Sequence, residues 1–364
     1  MKHGDILRAR LGNQRLSAPM DDPGALVAHL GAVQAQDWPA ACWALGLRLR
    51  DPRLQAIETA FDAGKILRTH VLRPTWHCVA PADIRWMLAL TGPRIGASAA
   101  AYTRSLGLDD ATLASANAVL TQALRGGKNL TRPEIGSLLR ESGVAVASGA
   151  ILGQILLLAE VASVVCSGPR RGRQHTYALL DERVPALPAL DRDAAVAELT
   201  WRYFNSHGPA LVRDCAWWSG LSMGDINRGL QANAHRLHRD TLDGHTYWHS
   251  DPPHTKPESI SAHLLPNYDE FTVAYRERDL YYKRGPNATA DPLPDVPFRH
   301  VLLLDGQVVG RWSAARRPDS VDVDIRWSIA PTLAQREAIE AAAERYAAFV
   351  GLRLQIPNRK FCSR

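Results

Sequence analysis

Val33-Gln34-Ala35-Gln36-Asp37-Trp38-Pro39 is the stretch on which the reading of this chain turns. Upstream of it, Asp22-Pro23 followed by Leu26, Val27, Leu30 and Val33 has the pattern of a capped amphipathic helix. Asp22 suits the N-cap, and Pro23 suits the first helical position, where its missing N–H would be unpaired anyway. The helix is expected to stop near Gln36, because Trp38 precedes a proline and is driven out of the helical region. That stop decides what Gln34 and Gln36 can do. Two positions apart on a helix they point to nearly opposite sides; in an extended segment they share one face. Two amides aimed at one point require that the helix has ended, or is ending, at Gln34. On the residues alone, a pair of amides capping a last turn is the simpler account.

Further motifs change the balance. Gln34-Ala35-Gln36, with Arg68-Thr69-His70-Val71-Leu72-Arg73-Pro74-Thr75-Trp76-His77, resembles the AlkZ/YcaQ-like DNA glycosylases, a family of winged-helix proteins. Later stretches agree in the same order: His207-Gly208-Pro209, Trp217-Trp218-Ser219-Gly220-Leu221, and Leu264-Leu265-Pro266-Asn267-Tyr268-Asp269-Glu270. The resemblance spans nearly the whole chain. The family's signature is Gln-apolar-Gln in one branch and Gln-apolar-Asp in the other, and Gln36 makes this chain look like the AlkZ branch. The resemblance implies that Gln34 and Gln36 are catalytic, that no cofactor or metal is needed, and that the partner is double-stranded DNA carrying alkylated purines.

Composition sets wide bounds. The 364 residues suffice for two to four domains with real cores. Hydrophobic content of 46% with 22% charged residues is ordinary for a globular protein. A net charge of +6 favours an anionic partner without specifying one. Cys42, Cys78, Cys166, Cys215 and Cys362 are scattered and odd in number, which suggests reduced core thiols rather than a disulfide framework or zinc knot. Met1-Lys2-His3-Gly4-Asp5 lacks the apolar run of a leader, and Ala150 to Cys166 is too short for a bilayer span. A soluble, monomeric, cytoplasmic protein is expected, associated with the nucleoid when on DNA.

The order of elements suggests an α+β fold with three tandem winged-helix units, at 1–105, 106–184 and 185–253, then a C-terminal β-rich module at 254–364. In the first unit, Ile66 to Leu72 and Thr75 to Val79 form a wing turned at Arg73-Pro74, and Pro81-Ala82-Asp83 opens a helix through Leu90. In the second, Asp109 or Asp110 caps a helix to Leu124. Thr131-Arg132-Pro133-Glu134 is a capping box, Ser148 starts a third helix, and Val161 to Cys166 and Thr176 to Leu180 are strands. The third follows Val184-Pro185-Ala186-Leu187-Pro188: helices begin at Asp191, Leu211 and Ser222, and a hairpin turns at Asp243-Gly244. Beyond it come strands at Phe298 to Leu304, Gln307 to Ala314 and Val321 to Trp327, a helix from Leu333 to Val350, and a closing strand, Arg353 to Ile356. Gly285 to Pro297, with four prolines, reads as a loop.

Glycosidic cleavage passes through an oxocarbenium-like sugar that water attacks at C1′. A guanine alkylated at N7 is already cationic and leaves readily, so two neutral amides holding the water can suffice, by positioning rather than by taking its proton. Asp37 is better read as a capping or surface residue. Arg170, Arg171 and Arg173 lie in a wing loop without acids and are expected to meet phosphate or the minor groove. Trp38 is the tryptophan placed to stack on a base; Trp43, Trp217 or Trp218 are expected in the core. Arg73 is assigned to DNA, although it and Arg68 could equally order the hairpin. Six histidines from His235 to His263 invite a metal, but His235 and His238 fall on opposite faces of a strand and no cysteine is near, so polar wing residues are preferred. Asn267, Tyr268 and Asp269 are taken as packing or capping residues.

The resemblance thus implies a monofunctional glycosylase for bulky N7-alkylated purines, interstrand crosslinks among them, in base excision repair. The rival is a non-catalytic winged-helix DNA-binding protein, either a regulator or one that sequesters an adduct, because a fold does not fix a function.

Overall fold

The computed structural model describes residues 2–250, 260–281 and 299–356. Cys362, His254 and the Gly285 to Pro297 segment lie outside these. After an N-terminal helix, α1 (His3–Asn13), one order of elements occurs twice in full: helix, short strand, two helices, hairpin. The first set comprises α2 (Pro23–Leu30), β1 (Ala32–Gln34), α3 (Trp38–Gly46), α4 (Leu54–Asp62), β2 (Leu67–His70) and β3 (Trp76–Val79), with sheet order β1-β3-β2. A long helix, α5 (Ile84–Ser105), leads to the second set. This comprises α6 (Asp110–Leu124), β4 (Leu130–Thr131), α7 (Arg132–Glu141), α8 (Gly149–Val161), β5 (Val165–Ser167) and β6 (Thr176–Leu179), in order β4-β6-β5.

A short helix, α9 (Leu180–Arg183), precedes the third set, which contains α10 (Arg192–His207), α11 (Val212–Ser219), α12 (Met223–Ala232), β7 (His238–Leu242) and β8 (His245–His249). A single bridge from Ala210 to Trp248 stands where the other two sets have their short strand. The remainder is a five-stranded sheet of β9 (Ala262–Leu265), β10 (Val301–Leu304), β11 (Gln307–Arg316), β12 (Ser320–Trp327) and β13 (Arg353–Gln355), ordered β13-β12-β11-β10-β9. Within it lie a one-turn helix, α13 (Glu270–Val273), and the long α14 (Leu333–Phe349).

The starts of helices follow local chemistry. The side chains of Asp22, Asp109, Thr131, Ser148, Asp191 and Ser222 each accept a backbone N–H of the first turn. The stops were harder to foresee. The helix expected to run to Gln36 ends at Leu30, because Gly31 takes φ +81°, a left-handed conformation that terminates the helix without steric cost. In the other direction, α5 runs well past Leu90 and through Pro93. The Thr91 hydroxyl bonds back to the Met87 carbonyl at 2.8 Å, and Gly92 packs closely on Val161, which holds the interrupted turn in place.

Two large apolar cores result, with a small third cluster of Ile6, Leu211 and Tyr247. The second set encloses its own, built on residues such as Leu120, Ile135, Leu139 and Ile155. The first set, the third set and the C-terminal sheet share the other, so the C-terminal segment is not packed as a body apart. Trp43 rests against Tyr346 and Phe349, with ring centroids 5.0 Å away in each case, and its indole N–H donates to the Leu264 carbonyl at 2.7 Å. Arg48 makes a forked pair with Asp269, both contacts 2.8 Å, with neither side chain exposed. Among the described residues no helix is long and apolar enough to cross a membrane. None of their His, Cys, Asp and Glu side chains group in threes fit to hold a metal ion.

A Cβ added at Gly46 would stand 2.6 Å from the Phe349 ring. Gly46→Val is therefore expected to cost about 1–3 kcal/mol by overpacking the seam between the first set and α14. A urea midpoint unchanged from wild type would mean that the seam is not packed as described.

Candidate active site at the glutamine pair

The early helix stop puts Gln34 in a strand rather than a helix turn. β1 pairs with β3 so that Gln34 stands opposite His77, and pairing continues one residue further, where the Ala35 N–H donates to the Trp76 carbonyl at 2.7 Å. The Ala35 carbonyl accepts from Arg68 Nε at 3.0 Å, and the Arg68 guanidinium lies 4.2 Å from the Trp76 ring centroid. Arg68 therefore braces the backbone between the two glutamines. Gln36 follows in an exposed bend, and Asp37 then caps α3 through the Ala40 N–H. The capping role foreseen for Asp37 is the one it has.

Gln34 is nearly buried and doubly tethered. Its backbone N–H donates to Glu270 Oε1 at 2.7 Å, and its side-chain Oε1 accepts from Arg73 Nη2 at 3.2 Å. Glu270 is wholly enclosed: its other oxygen accepts from the Trp218 indole at 3.0 Å and faces His207 Nε2 at 3.6 Å. Burial alone pushes a carboxyl up. Here the adjacent His207, the nearby His77 and the Gln34 N–H outweigh it and hold Glu270 below the usual carboxylate range. Asp269, next to it, caps α13 and grips Arg48, so the packing role expected of Asp269 is visible and it fixes where Glu270 sits. Sequence reasoning passed over Glu270. Its signal was an acid flanked by the apolar Leu264-Leu265 and Phe271, a place where a carboxylate needs donors.

Opposite Gln34, His77 is buried, with Nδ1 2.9 Å from the Thr75 carbonyl and Nε2 without a partner among the described residues. Because a carbonyl only accepts, the proton is assigned to Nδ1, which leaves Nε2 as a bare acceptor. Burial and then the adjacent Arg73 push its pKa down to about 3, so the ring is neutral at physiological pH. Of Trp43, Trp217 and Trp218, the candidates for the core, Trp43 and Trp218 are buried and Trp217 is 45% exposed. Its indole N–H is tied to the Val273 carbonyl at 3.1 Å, and Arg73 and Arg278 lie 5.8 and 5.9 Å from its ring centroid. The burial of neighbouring Trp218 uses the inner side of α11, which leaves Trp217 outside.

The wing arginines have separate fates. Arg170 is folded back onto Glu58 at 2.7 Å and Asp62 at 3.4 Å, with its side chain only 10% exposed. Those acids come from α4, in another part of the sequence, and the loop's own lack of acids concealed them. Arg171 is half exposed and paired with Glu134 at 2.7 Å and with the Asn129 carbonyl. Arg173 is exposed. Trp38 packs against Phe61 and His175, with centroids 4.5 and 5.2 Å away, and Arg170 lies 5.7 Å from its ring centroid. It joins the first set to the loop of the second and stands apart from Gln34's partners. Of the wing histidines, His249 lies 3.0 Å from Asp240.

Burial lowers the pKa of six of the described histidines, His77 and His263 to about 3, His29 and His175 to about 4, and His207 and His300 in the same direction. In the unfolded chain each takes up a proton near its ordinary value of about 6.5. The unfolded state therefore binds more protons below that pH, and the stability present above it is lost as pH falls toward about 4. The urea midpoint is expected to fall steadily from pH 7 to pH 5, and His263→Gln to reduce that slope. A midpoint flat over this range would contradict the burial of these rings.

Comparison with known proteins gives one coherent result. A curated relative from Streptomyces sahachiroi, described as an interstrand DNA cross-link repair glycosylase, is 23% identical over 314 residues, covering 81% of this chain and 83% of that protein. The solved structure of the Streptomyces sahachiroi DNA glycosylase AlkZ superposes with a TM-score of 0.78 at 20% identity, covering 98% of this chain and 99% of that one. The family model for DNA glycosylase AlkZ-like proteins matches residues 27–349, which takes in every residue of the site described above. The chain belongs to the AlkZ-like DNA glycosylase family.

Proposed function

We propose that this DNA glycosylase is monofunctional and excises bulky N7-alkylated purines from double-stranded DNA, interstrand crosslinks included, as a monomer in cytoplasmic base excision repair. The name of the Streptomyces sahachiroi relative, a cross-link repair glycosylase, agrees with that substrate class. In this reading the three recurring sets are winged-helix units, since helix, short strand, two helices and hairpin is the order such units have. Gln34 and Gln36 hold the attacking water, and Arg171 and Arg173 supply cationic contacts along the duplex.

One observation carries the mechanism. The carboxylate nearest Gln34 is Glu270, and both of its oxygens are engaged, by the Gln34 N–H and by the Trp218 indole. Asp37 is committed to its helix cap. Neither acid is placed to take a proton from water, and His77, with its pKa pushed down to about 3 and its ring buried, is too weak a base to do so. That leaves the amides to orient the solvent molecule without deprotonating it. Such a site suits a leaving group that is already cationic, as an N7-alkylguanine is. The described lysines, Lys2, Lys65 and Lys128, are not among Gln34's partners, which favours water over an amine as the nucleophile.

The test is a panel of N7-alkylated duplexes of increasing adduct size, scored as alkali-labile strand breaks. Wild type is expected to release the modified base and leave an abasic site. Combined Gln34→Ala and Gln36→Ala is expected to slow release by about 100-fold or more while duplex affinity persists. Absence of release by wild type across the panel would leave a non-catalytic DNA-binding protein as the better account.

A further inference from the structure

The contact between Arg73 and Gln34 says more about the proposed chemistry than that two glutamines are present. A guanidinium has only donors, so the Gln34 atom 3.2 Å from Arg73 Nη2 has to be the amide oxygen, and the orientation of this side chain follows from its partner. One lone pair of Oε1 is then occupied, and the two N–H groups are left. Gln36, exposed in its bend, has no such constraint.

Arg73 is itself held firmly. It follows Leu72, which has φ +63°, an outlier for a bulky side chain. The Leu72 N–H donates to Thr91 Oγ1 at 3.1 Å, and the backbone closes twice in succession, Arg73 N–H to the Val71 carbonyl at 2.7 Å and Thr75 N–H to the Arg73 carbonyl at 2.6 Å. Gly220, with φ +70°, comes so close that a Cβ there would lie 2.5 Å from the Leu72 carbonyl oxygen. Backbone strain kept in place by its surroundings is a mark of functional loops. The buried Glu270 charge attracts the guanidinium, and Arg73 Nε is buried without a hydrogen-bond partner among the described residues.

We infer that Arg73 is a positioning residue for the reaction proposed above: by taking the Gln34 carbonyl it makes Gln34 the donor and leaves Gln36 as the acceptor of the water-holding pair. The water receives a hydrogen bond from the Gln34 amide on one lone pair and donates one proton to Gln36 Oε1. Its second lone pair is then directed at C1′. As the C1′–O bond forms the C1′–N9 bond breaks, its electron pair neutralising the departing cationic base. The proton shed by the new C1′ hydroxyl passes to bulk solvent; no bond to Arg73 forms or breaks.

The experiment is a double-mutant cycle of Arg73→Met and Gln34→Ala, read as single-turnover release of 7-methylguanine from duplex DNA, with duplex affinity measured across salt. Arg73→Met alone is expected to slow release about 10- to 100-fold and to leave affinity and its salt slope as in wild type. The double variant is expected to be no slower than Gln34→Ala, because Arg73 acts through that amide. Gln34→Glu, which keeps an acceptor for Arg73 but has no N–H to offer, is expected to be about as slow as Gln34→Ala. Losses that multiply in the double variant, or wild-type rates in Gln34→Glu, would overturn the assignment. So would a weakened duplex affinity with a salt slope reduced by about one in Arg73→Met, which marks a phosphate contact instead. A wild-type protein that releases no base removes the glycosylase reading and this inference together; an active wild type with multiplying losses removes this inference alone.

Discussion

A carboxylate sealed away from water has to find donors, and Glu270 finds one in the backbone of the strand that carries Gln34. That requirement ties three distant parts of the chain together. The Trp218 indole comes from α11 and the Gln34 N–H from β1, while the His207 ring at the end of α10 stands 3.6 Å from the acid. Removing any donor from a buried acid is costly, so the strand is held at Gln34 by the same interaction that keeps the acid charged. The forked pair of Arg48 with Asp269 fixes the neighbouring residue, and the shared core around Trp43 fixes the segment bearing both acids. The site is therefore built at a junction between the first set, the third set and the C-terminal sheet.

The same arrangement decides what chemistry is left. Glu270 supports Gln34 from beneath, and its oxygens are occupied by protein donors. His77, directly across the strand pair, is neutral and keeps one bare nitrogen inside. The groups that reach outward from this place are amides and the Arg73 guanidinium, with the exposed Trp217 alongside. Groups of that kind place and orient; they do not move protons at neutral pH. A site so composed matches a reaction in which the departing base carries its own positive charge.

Much of this was legible in the sequence. Asp22, Thr131, Ser148, Asp191 and Ser222 each announced a helix start because capping is a local interaction between a side chain and the next turn. Asp243-Gly244 and Asp305-Gly306 likewise mark the turns of β7–β8 and β10–β11. A helix stop was anticipated, but near Gln36 rather than ahead of both glutamines at Leu30, since a glycine inside an apolar run does not declare whether it will take a positive φ. Long-range pairing was not legible. Nothing near Arg170 predicts Glu58 and Asp62 of α4, and nothing near Gln34 predicts an acid more than 230 residues later. Trp217 and Trp218 are adjacent and chemically identical, and only the packing of α11 separates an inner ring from an outer one.

The central claim is that the water is oriented by amides and not deprotonated by an acid–base group. A single-turnover pH–rate profile for 7-methylguanine release, taken between pH 6.5 and 9 where the buried histidines stay neutral, addresses it most directly. The account predicts a rate constant across that range within about twofold. A limb that changes about tenfold per pH unit would reveal a titrating catalyst and would contradict it.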